Sequence, residues 1–150
     1  MTGPQGPQGP PDQATLGARV FRTTALFVPG FVATAIPFDD ELFDIGGFHD
    51  PNSTQLFVPV GGAGLYQITG NAGIAGAVAA KFLQIRLNGT TTIASTEDQS
   101  VEDFENHLNV TTLYELAEGD FVELVVVATG DVAVAASPDF SPHFMLVRVG

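Results

Sequence analysis

The chain has no cysteine among its 150 residues, so neither a disulfide bond nor a thiol nucleophile contributes to its fold or chemistry. A single domain of this length buries about 68–70% of the surface that its unfolded chain exposes, which provides a core without disulfides. Because a chain without cysteine is compatible with oxidising and reducing surroundings alike, the absence leaves the cellular compartment open.

Positive charge is scarce. The sequence has 5 Lys and Arg residues against 17 Asp and Glu residues, and its formal net charge is −12. Nucleic-acid binding depends on the neutralisation of phosphates by Lys and Arg, and attraction to an anionic membrane surface depends on the same side chains. We therefore expect no nucleic-acid partner and no membrane insertion, and we interpret the negative charge as a soluble, mutually repulsive outer surface.

Long apolar runs are also absent. No stretch approaches the roughly 18 consecutive apolar residues that a membrane-spanning helix requires. The first residues, Met1, Thr2 and Gly3, carry neither the basic nor the apolar segment of a signal peptide. If Met1 is the natural start, we expect the protein to be made in the cytosol and not exported by the general route.

The sequence has a short repeat near its N-terminus. Residues 3–11 read Gly-Pro-Gln, Gly-Pro-Gln, Gly-Pro-Pro, which are three Gly-X-Y triplets with proline at each X position. The collagen triple helix needs this period because only glycine fits at the axis where three chains meet. We therefore predict a collagen-like arm over residues 1–15 of a homotrimer, with contacts or attachment at Gly3, Gly6, Gly9, Pro10 and Pro11.

Three triplets are too few to hold a triple helix together alone. We therefore expect the domain that follows the arm to drive trimerisation, and the trimer to survive deletion of the arm. The competing interpretation is a disordered linker, rich in Pro, Gly and Gln, whose period is accidental.

Residues 16–150 consist of short apolar segments separated by turn signals, with no sustained helical period. Residues 82–88 alternate apolar and polar side chains and lead into Asn88-Gly89, the strongest short signal for a hairpin because both residues tolerate positive φ. Residues 70–80, rich in Gly and Ala, fit either a bent strand or a flexible loop. We predict one all-β domain over residues 16–150.

One segment, Phe121–Ala128, is apolar on both faces except at Glu123. A strand that is apolar on both faces is buried on both. In a β-sandwich one of these faces meets the opposite sheet, so we predict that a neighbouring subunit covers the other. This interpretation makes three residues candidates for the subunit interface: Phe121, Val125 and Val127.

Several segments, in one order over residues 38–150, resemble the C1q/TNF-like family of trimeric jelly rolls. The most recognisable motif is an aromatic residue followed after a short gap by Gly-x-Tyr, here Phe57 and then Gly64-Leu65-Tyr66. Four further segments resemble the family's loop before its second strand pair, its central strand and hairpin, its acidic Gly-Asp turn with the strand after it, and its last core strand: residues 43–50, 82–89, 113–124 and 144–149.

The resemblance implies an antiparallel jelly-roll β-sandwich (C1q/TNF-like) that assembles as a homotrimer behind the collagen-like arm. In style the segments are more similar to bacterial and bacteriophage members than to animal complement heads. The chain departs from the family at two points: the gap from Phe57 to Gly64 is one residue longer than usual, and Ile68 stands where an aromatic residue is frequent. These departures leave the strand register over residues 57–68 open.

The sequence carries no recognisable catalytic motif. The glycine-rich residues 61–64 follow one predicted strand and precede another, so no helix N-terminus is there to hold a phosphate. The histidines, His49, His107 and His143, stand singly and not at metal-ligand spacing. We therefore predict no enzymatic activity, no catalytic residue and no cofactor, and leave open a triad of Ser141, His143 and an aspartate brought together in space.

One acidic group offers oxygen ligands of the kind that Ca²⁺ prefers: Asp39, Asp40, Glu41 and Asp44. Some C1q-like heads bind calcium, so the resemblance admits a site here, although the spacing does not match an EF-hand loop. We favour a solvated acidic loop without metal and keep calcium as the minority alternative.

Together these inferences predict a homotrimeric structural protein of a bacteriophage virion, such as a capsid decoration protein, a head fibre, or the head of a tail spike or fibre. The arm would attach to other capsid or tail proteins, and the jelly-roll head would face outward, where a host-surface glycan or protein is a candidate ligand for adhesion. The alternative is a secreted or surface-displayed bacterial C1q-like binding module, an adhesin, at the extracellular or bacterial cell surface. The sequence leaves capsid and tail locations open.

Overall fold

The computed structural model describes residues 15–99, 101, 104–136 and 141–150. These residues form twelve β-strands, and they contain no helix long and apolar enough to span a membrane. In chain order the strands are β1 (Gly17–Phe21), β2 (Leu26–Val28), β3 (Thr34–Ala35), β4 (Asp40–Ile45), β5 (Gln55–Phe57), β6 (Gly64–Ala75), β7 (Lys81–Leu87), β8 (Thr91–Asp98), β9 (Asn106–Leu116), β10 (Phe121–Ala128), β11 (Val132–Ala135) and β12 (His143–Arg148).

The strands make two antiparallel sheets. The large sheet has seven strands in the order β2-β11-β6-β12-β1-β4, with β9 also paired to β6. The small sheet has five in the order β3-β10-β7-β8, with β5 also paired to β10. The first and last strands lie side by side, Gly17 opposite Val147 and Phe21 opposite His143. This is an antiparallel jelly-roll sandwich, as predicted from the sequence.

The predicted hairpin is confirmed. Leu87 at the end of β7 pairs with Thr91 at the start of β8, and the turn residues Asn88 and Gly89 take φ values of 55° and 78°. On β7 the alternating apolar residues, represented by Leu83, are buried between the sheets. Turn chemistry and alternation therefore set this register together.

The Gly- and Ala-rich residues 70–80 divide between the two structures that the sequence allows. Their first part belongs to β6, and the remainder connects β6 to β7. Glycine is favoured at position 70 because a Cβ atom there would lie 2.3 Å from Cδ1 of Leu124 on β10 and would force that side chain to shift. The missing side chain lets the two sheets approach at this point.

The Gly-x-Tyr motif places its tyrosine in the core. The ring of Tyr66 packs edge-on against Phe48, with ring centroids 5.9 Å apart. Its hydroxyl donates to the carbonyl of Gly62, and burial raises the pKa of that hydroxyl even though Arg148 opposes the shift. The motif therefore anchors the start of β6 to the loop before it.

Candidate oligomerisation surface

The large sheet packs one face against the small sheet, and its opposite face is the candidate surface. Successive side chains of a strand point to opposite faces, so the residues between the core positions of β1, β6, β9 and β12 share this outer side. We call it the open face; its members are Arg19, Leu65, Gln67, Thr69, Asn71, His107, Asn109, Thr111, Leu113, Glu115, His143, Met145 and Val147.

The sheet register aligns these residues in rows across the strands. In the central row Arg19 lies opposite Met145, Met145 opposite Thr69, and Thr69 opposite Thr111. The two threonine Oγ1 atoms are 3.1 Å apart and hydrogen bond to each other. This row is uncharged except for the guanidinium at its end.

The next row is more apolar. Val147 lies opposite Gln67, and Gln67 opposite Leu113. The side chain of Leu113 is 59% exposed. It borders a shallow depression of about 310 Å³ that Gln67, Thr111 and Thr112 also line. The open face thus combines an exposed apolar side chain with a hollow of side-chain size.

Asn71 lies in the third row, opposite both His143 and Asn109. Its Nδ2 donates to Oδ1 of Asn109 at 2.8 Å, but its own buried Oδ1 has no hydrogen-bond partner among the described residues. Buried polar atoms in folded proteins are nearly all hydrogen bonded. An unsatisfied acceptor in this position indicates a face whose polar contacts are incomplete in the single chain.

The charge of the open face differs from that of the whole chain. Among its thirteen members only Glu115 is acidic and only Arg19 carries a permanent positive charge, and one further carboxylate, that of Glu105, reaches the face beside His107 at 2.7 Å. The chain as a whole has a net charge of −12. Because juxtaposed like charges oppose association, the low charge of the open face reduces the repulsion between two copies that would meet there.

The three residues predicted from β10 lie on the other sheet. Val125 is only 3% exposed within the single chain, and Phe121 and Val127 are half-buried. The chain therefore covers Val125 without a second subunit, which removes part of the reason for expecting an interface there. The interface assignment of these residues stays a prediction.

The predicted arm residues, Gly3, Gly6, Gly9, Pro10 and Pro11, lie outside the described residues. The description begins at Thr15, two residues before β1. The division into an arm over residues 1–15 and a head over residues 16–150 therefore also stays a prediction.

The acidic group is not the solvated loop favoured from the sequence, because three of its four members lie on strand β4. Local hydrogen bonds engage its carboxylates. Asp39 accepts the backbone N–H of Thr23 at 2.9 Å and also the Thr23 hydroxyl. Burial alone would raise the pKa of Asp39, but these hydrogen bonds, with a smaller contribution from Arg22, hold it below its usual value. Asp39 thus fastens the segment before β4 to the loop after β1.

Asp44 has a similar structural role. Its carboxylate accepts three backbone N–H groups, from Gly47 at 3.2 Å, Phe48 at 2.8 Å and His49 at 3.0 Å. The turn that it holds contains Gly46 and Gly47 with φ values of 120° and 83°, which favour glycine. Asp44 is therefore engaged in closing the turn after β4.

Glu41 pairs with a buried histidine. Its Oε2 lies 2.9 Å from Nδ1 of His49, whose side chain is 1% exposed. The pair borders a hollow of about 260 Å³ that Asp39, Asp40 and Pro51 also line. Within the described ranges no group of three or more His, Cys, Asp or Glu residues is arranged to hold a metal ion, and calcium at this place stays the minority alternative.

Ser141 and His143, which the sequence leaves open as members of a catalytic triad, are close in the chain. The Oγ of Ser141 is buried and has no hydrogen-bond partner in the part of the chain that the structure describes. A nucleophilic serine needs a base within hydrogen-bond distance, and here that contact is not formed.

The sequence prediction missed the open face. Its signal was present in residues 107–116, where apolar and polar residues alternate except at Thr112 and Leu113 and predict a strand with one outer side. Alternation does not reveal whether that outer side meets water or another subunit. The four strands also come from distant parts of the chain, so only the fold brings them together.

Comparison with known proteins supports the fold. No protein-family model and no curated protein matches the sequence. Among solved structures, murine APRIL at pH 5.0 is similar with a TM-score of 0.71 and 11% identity, covering 91% of this chain and 100% of that chain. The globular domain of zebrafish complement 1qA has a TM-score of 0.58 and 15% identity, covering 90% and 98%.

Eiger TNF from S. frugiperda is similar as well, with a TM-score of 0.59 and 15% identity over 91% of this chain and 93% of that chain. Identities in this range establish the fold alone. The domain therefore has a C1q/TNF-like jelly-roll fold, which confirms the fold class that the sequence resemblance implied.

Proposed function

We propose that the protein is a non-catalytic homotrimer whose subunits meet through the open face. The observation that carries this proposal is the low charge of the open face of the large sheet in a chain of net charge −12. The exposed Leu113 and the unsatisfied Oδ1 of Asn71 support it, since a second subunit would bury the first and offer donors to the second. The Gly-X-Y triplets of the arm favour three copies over two.

The head drives this assembly and the arm follows it. Three triplets cannot offset the entropy lost when three chains become ordered. Apolar burial stabilises by about 25 cal/mol per Å², so an interface formed by the head can offset this loss of entropy.

Light scattering of the full chain at micromolar concentration tests the proposal. We expect the mass of a trimer, and the same oligomer after deletion of residues 1–12. Leu113→Glu should give folded monomers, because a trimer would place a new carboxylate at each subunit contact and the like charges would repel one another. The matched control is Val60→Glu, since Val60 is 92% exposed and lies outside the open face. A monomeric parent chain would refute the trimer, and a trimeric Leu113→Glu variant would place the interface elsewhere.

We further propose that this trimer is a structural component of a bacteriophage virion. The uncharged Gly, Pro and Gln residues of the arm suit an extended segment that pairs its backbone with a partner on the particle. The acidic outer surface of the head would keep neighbouring copies apart. The head would then project outward, available to a glycan or protein of the host surface.

Reconstitution tests the virion role separately from the trimer. The purified protein should restore one trimer at each attachment site of particles that lack it, and the variant without residues 1–12 should not bind. Equal binding by the truncated head would move attachment from the arm to the jelly roll. Absence of binding by the full trimer would instead favour the bacterial adhesin.

A further inference from the structure

Lys81 is the only lysine in the sequence, and its side chain is completely buried. It begins β7 and points inward, like Leu83 and Ile85 further along the same strand. A buried ammonium group is costly unless it is paired with an opposite charge. The complete burial of Lys81 therefore needs a chemical explanation, whereas an exposed lysine would not.

The side chain of Lys81 reaches across the interior of the sandwich. Its Nζ donates to Oδ1 of Asn106. Asn106 begins β9 in the large sheet, whereas Lys81 belongs to the small sheet. The amine thus contacts the neutral carboxamide of another sheet.

The strand next to Lys81 carries a carboxylate at the matching position. Asp98 at the end of β8 is directly opposite Lys81 in the β7–β8 ladder. Residues opposite each other in an antiparallel pair share a face, and their Cβ atoms are about 4.5–5.5 Å apart. Asp98 is therefore placed to exchange a proton with Lys81 at the same end of the sandwich as Asn106.

We propose that Lys81 and Asn106 form an intramolecular amide bond after the chain has folded. Nζ of the neutral amine attacks Cγ of Asn106, so that a bond forms between Nζ and Cγ and the bond between Cγ and Nδ2 breaks. Asp98 takes a proton from the lysine nitrogen and delivers it to Nδ2, which leaves as ammonia. No oxidant, metal or cofactor enters this balance.

Folding supplies what the reaction needs. The two groups are held in contact by strands of opposite sheets, which replaces an encounter between separate reactants. The product is a neutral amide, so the bond also ends the cost of a buried ammonium group. In a chain without cysteine it would provide the covalent cross-link between sheets that a disulfide provides elsewhere.

Intact-mass spectrometry of the full chain under denaturing conditions tests the bond. We expect a mass lower than that of the sequence by one molecule of ammonia. After denaturation an amine-reactive label should modify the N-terminal amine alone, because the single lysine is consumed. The full sequence mass together with a reactive lysine would overturn the proposal.

Substitutions at Lys81 and Asn106 test whether these two side chains form the bond. Lys81→Arg and Asn106→Ala should both restore the full mass of their own sequences. Asn106→Asp should instead lose one molecule of water, because an aspartate forms the same bond with water as the leaving group. Lys81→Arg also controls for Asn88-Gly89, a sequence that can lose ammonia by closing a succinimide ring. Loss of ammonia that persists in Lys81→Arg would assign the change to that ring and refute the bond.

The role of Asp98 is tested by the rate of bond formation. Protein purified soon after expression should convert with time in the parent chain, slowly or not at all in Asp98→Asn, and again in Asp98→Glu. A folded Asp98→Asn variant that converts at the parental rate would show that another group carries the proton. Circular dichroism of each variant separates a lost reaction from a lost fold.

Discussion

Strands β9 and β10 are both long and rich in apolar residues, yet the chain covers them differently. On β9 the inward Leu108 and Val110 are buried, whereas Leu113 on the outer side is exposed. On β10 the inward Leu124 is buried and so is the outward Val125. Apolar residues on both faces of β10 therefore reflect packing that the chain itself supplies, and the uncovered face of β9 is the better candidate for a subunit contact.

The largest effect is expected inside β10. Val126→Asp places an unpaired carboxylate at a fully buried position, at a cost of several kcal/mol, and should prevent folding or assembly. Thermal denaturation and soluble yield measure this. The control is Gln84→Asp on the neighbouring β7, whose side chain is half-buried and points to the other face. Equal shifts in melting temperature for the two variants would invert the assignment of faces on β10.

Gly70→Ala probes the close approach of β6 and β10. The new methyl group would meet the Leu124 side chain, and such overpacking costs about 1–3 kcal/mol. Urea denaturation gives the change in unfolding free energy. Leu124→Ala in the same chain should relieve part of the cost that Gly70→Ala adds, so a double-mutant cycle is the control. Strict additivity would mean that the two side chains do not compete for this space.

A matched pair of truncations sharpens the contrast between the outer sides of the two strands. Val125→Ala removes buried carbon atoms at about 0.8 kcal/mol each, so it should lower the stability of the isolated head by about 1.5 kcal/mol. Leu113→Ala should leave the stability of the isolated head nearly unchanged and weaken its association. Urea denaturation at low protein concentration, together with sedimentation, separates the two effects. A weakened trimer with Val125→Ala alone would restore β10 as the interface.

The smallest effect concerns pH, at the β4 edge of the large sheet. Because the pKa of Asp39 is lowered from 3.8 in the folded chain, its carboxylate adds stability above that pH. This contribution is lost as the pH falls through the lower, folded-state pKa. Thr23→Val removes the hydroxyl donor and should reduce the loss of stability in acid, as should Asp39→Asn. Acid unfolding curves identical to that of the parent chain would argue against this coupling.

Much of the fold could be predicted because its signals are local. Asn88 and Gly89 tolerate the positive φ that the tight turn between β7 and β8 requires, and alternation along β7 assigns its inner face. The Gly-x-Tyr motif is likewise local, and its tyrosine, Tyr66, is fully buried in the core. The long strand through Gly70 was ambiguous, because the reason for glycine there is a side chain on another sheet.

The candidate site was not predictable in the same way. The sequence predicted an interface at Val125, which the chain buries by itself. It gave no sign of the contact between Lys81 and Asn106, which are separated along the chain and meet between the sheets. Side chains from β1, β6, β9 and β12 share the open face only because of the strand order. No local pattern carries information about such a meeting of distant segments.

By itself the sequence determined the all-β class, the hairpin, the acidic character and the absence of disulfides, since these follow from composition and from neighbours within a few residues. The tertiary structure alone decided which apolar faces are covered, which face carries little charge, and which amine lies against which carboxamide. The physical reason is that burial and proximity depend on contacts between strands far apart in the chain, which exist only once the two sheets have closed on each other.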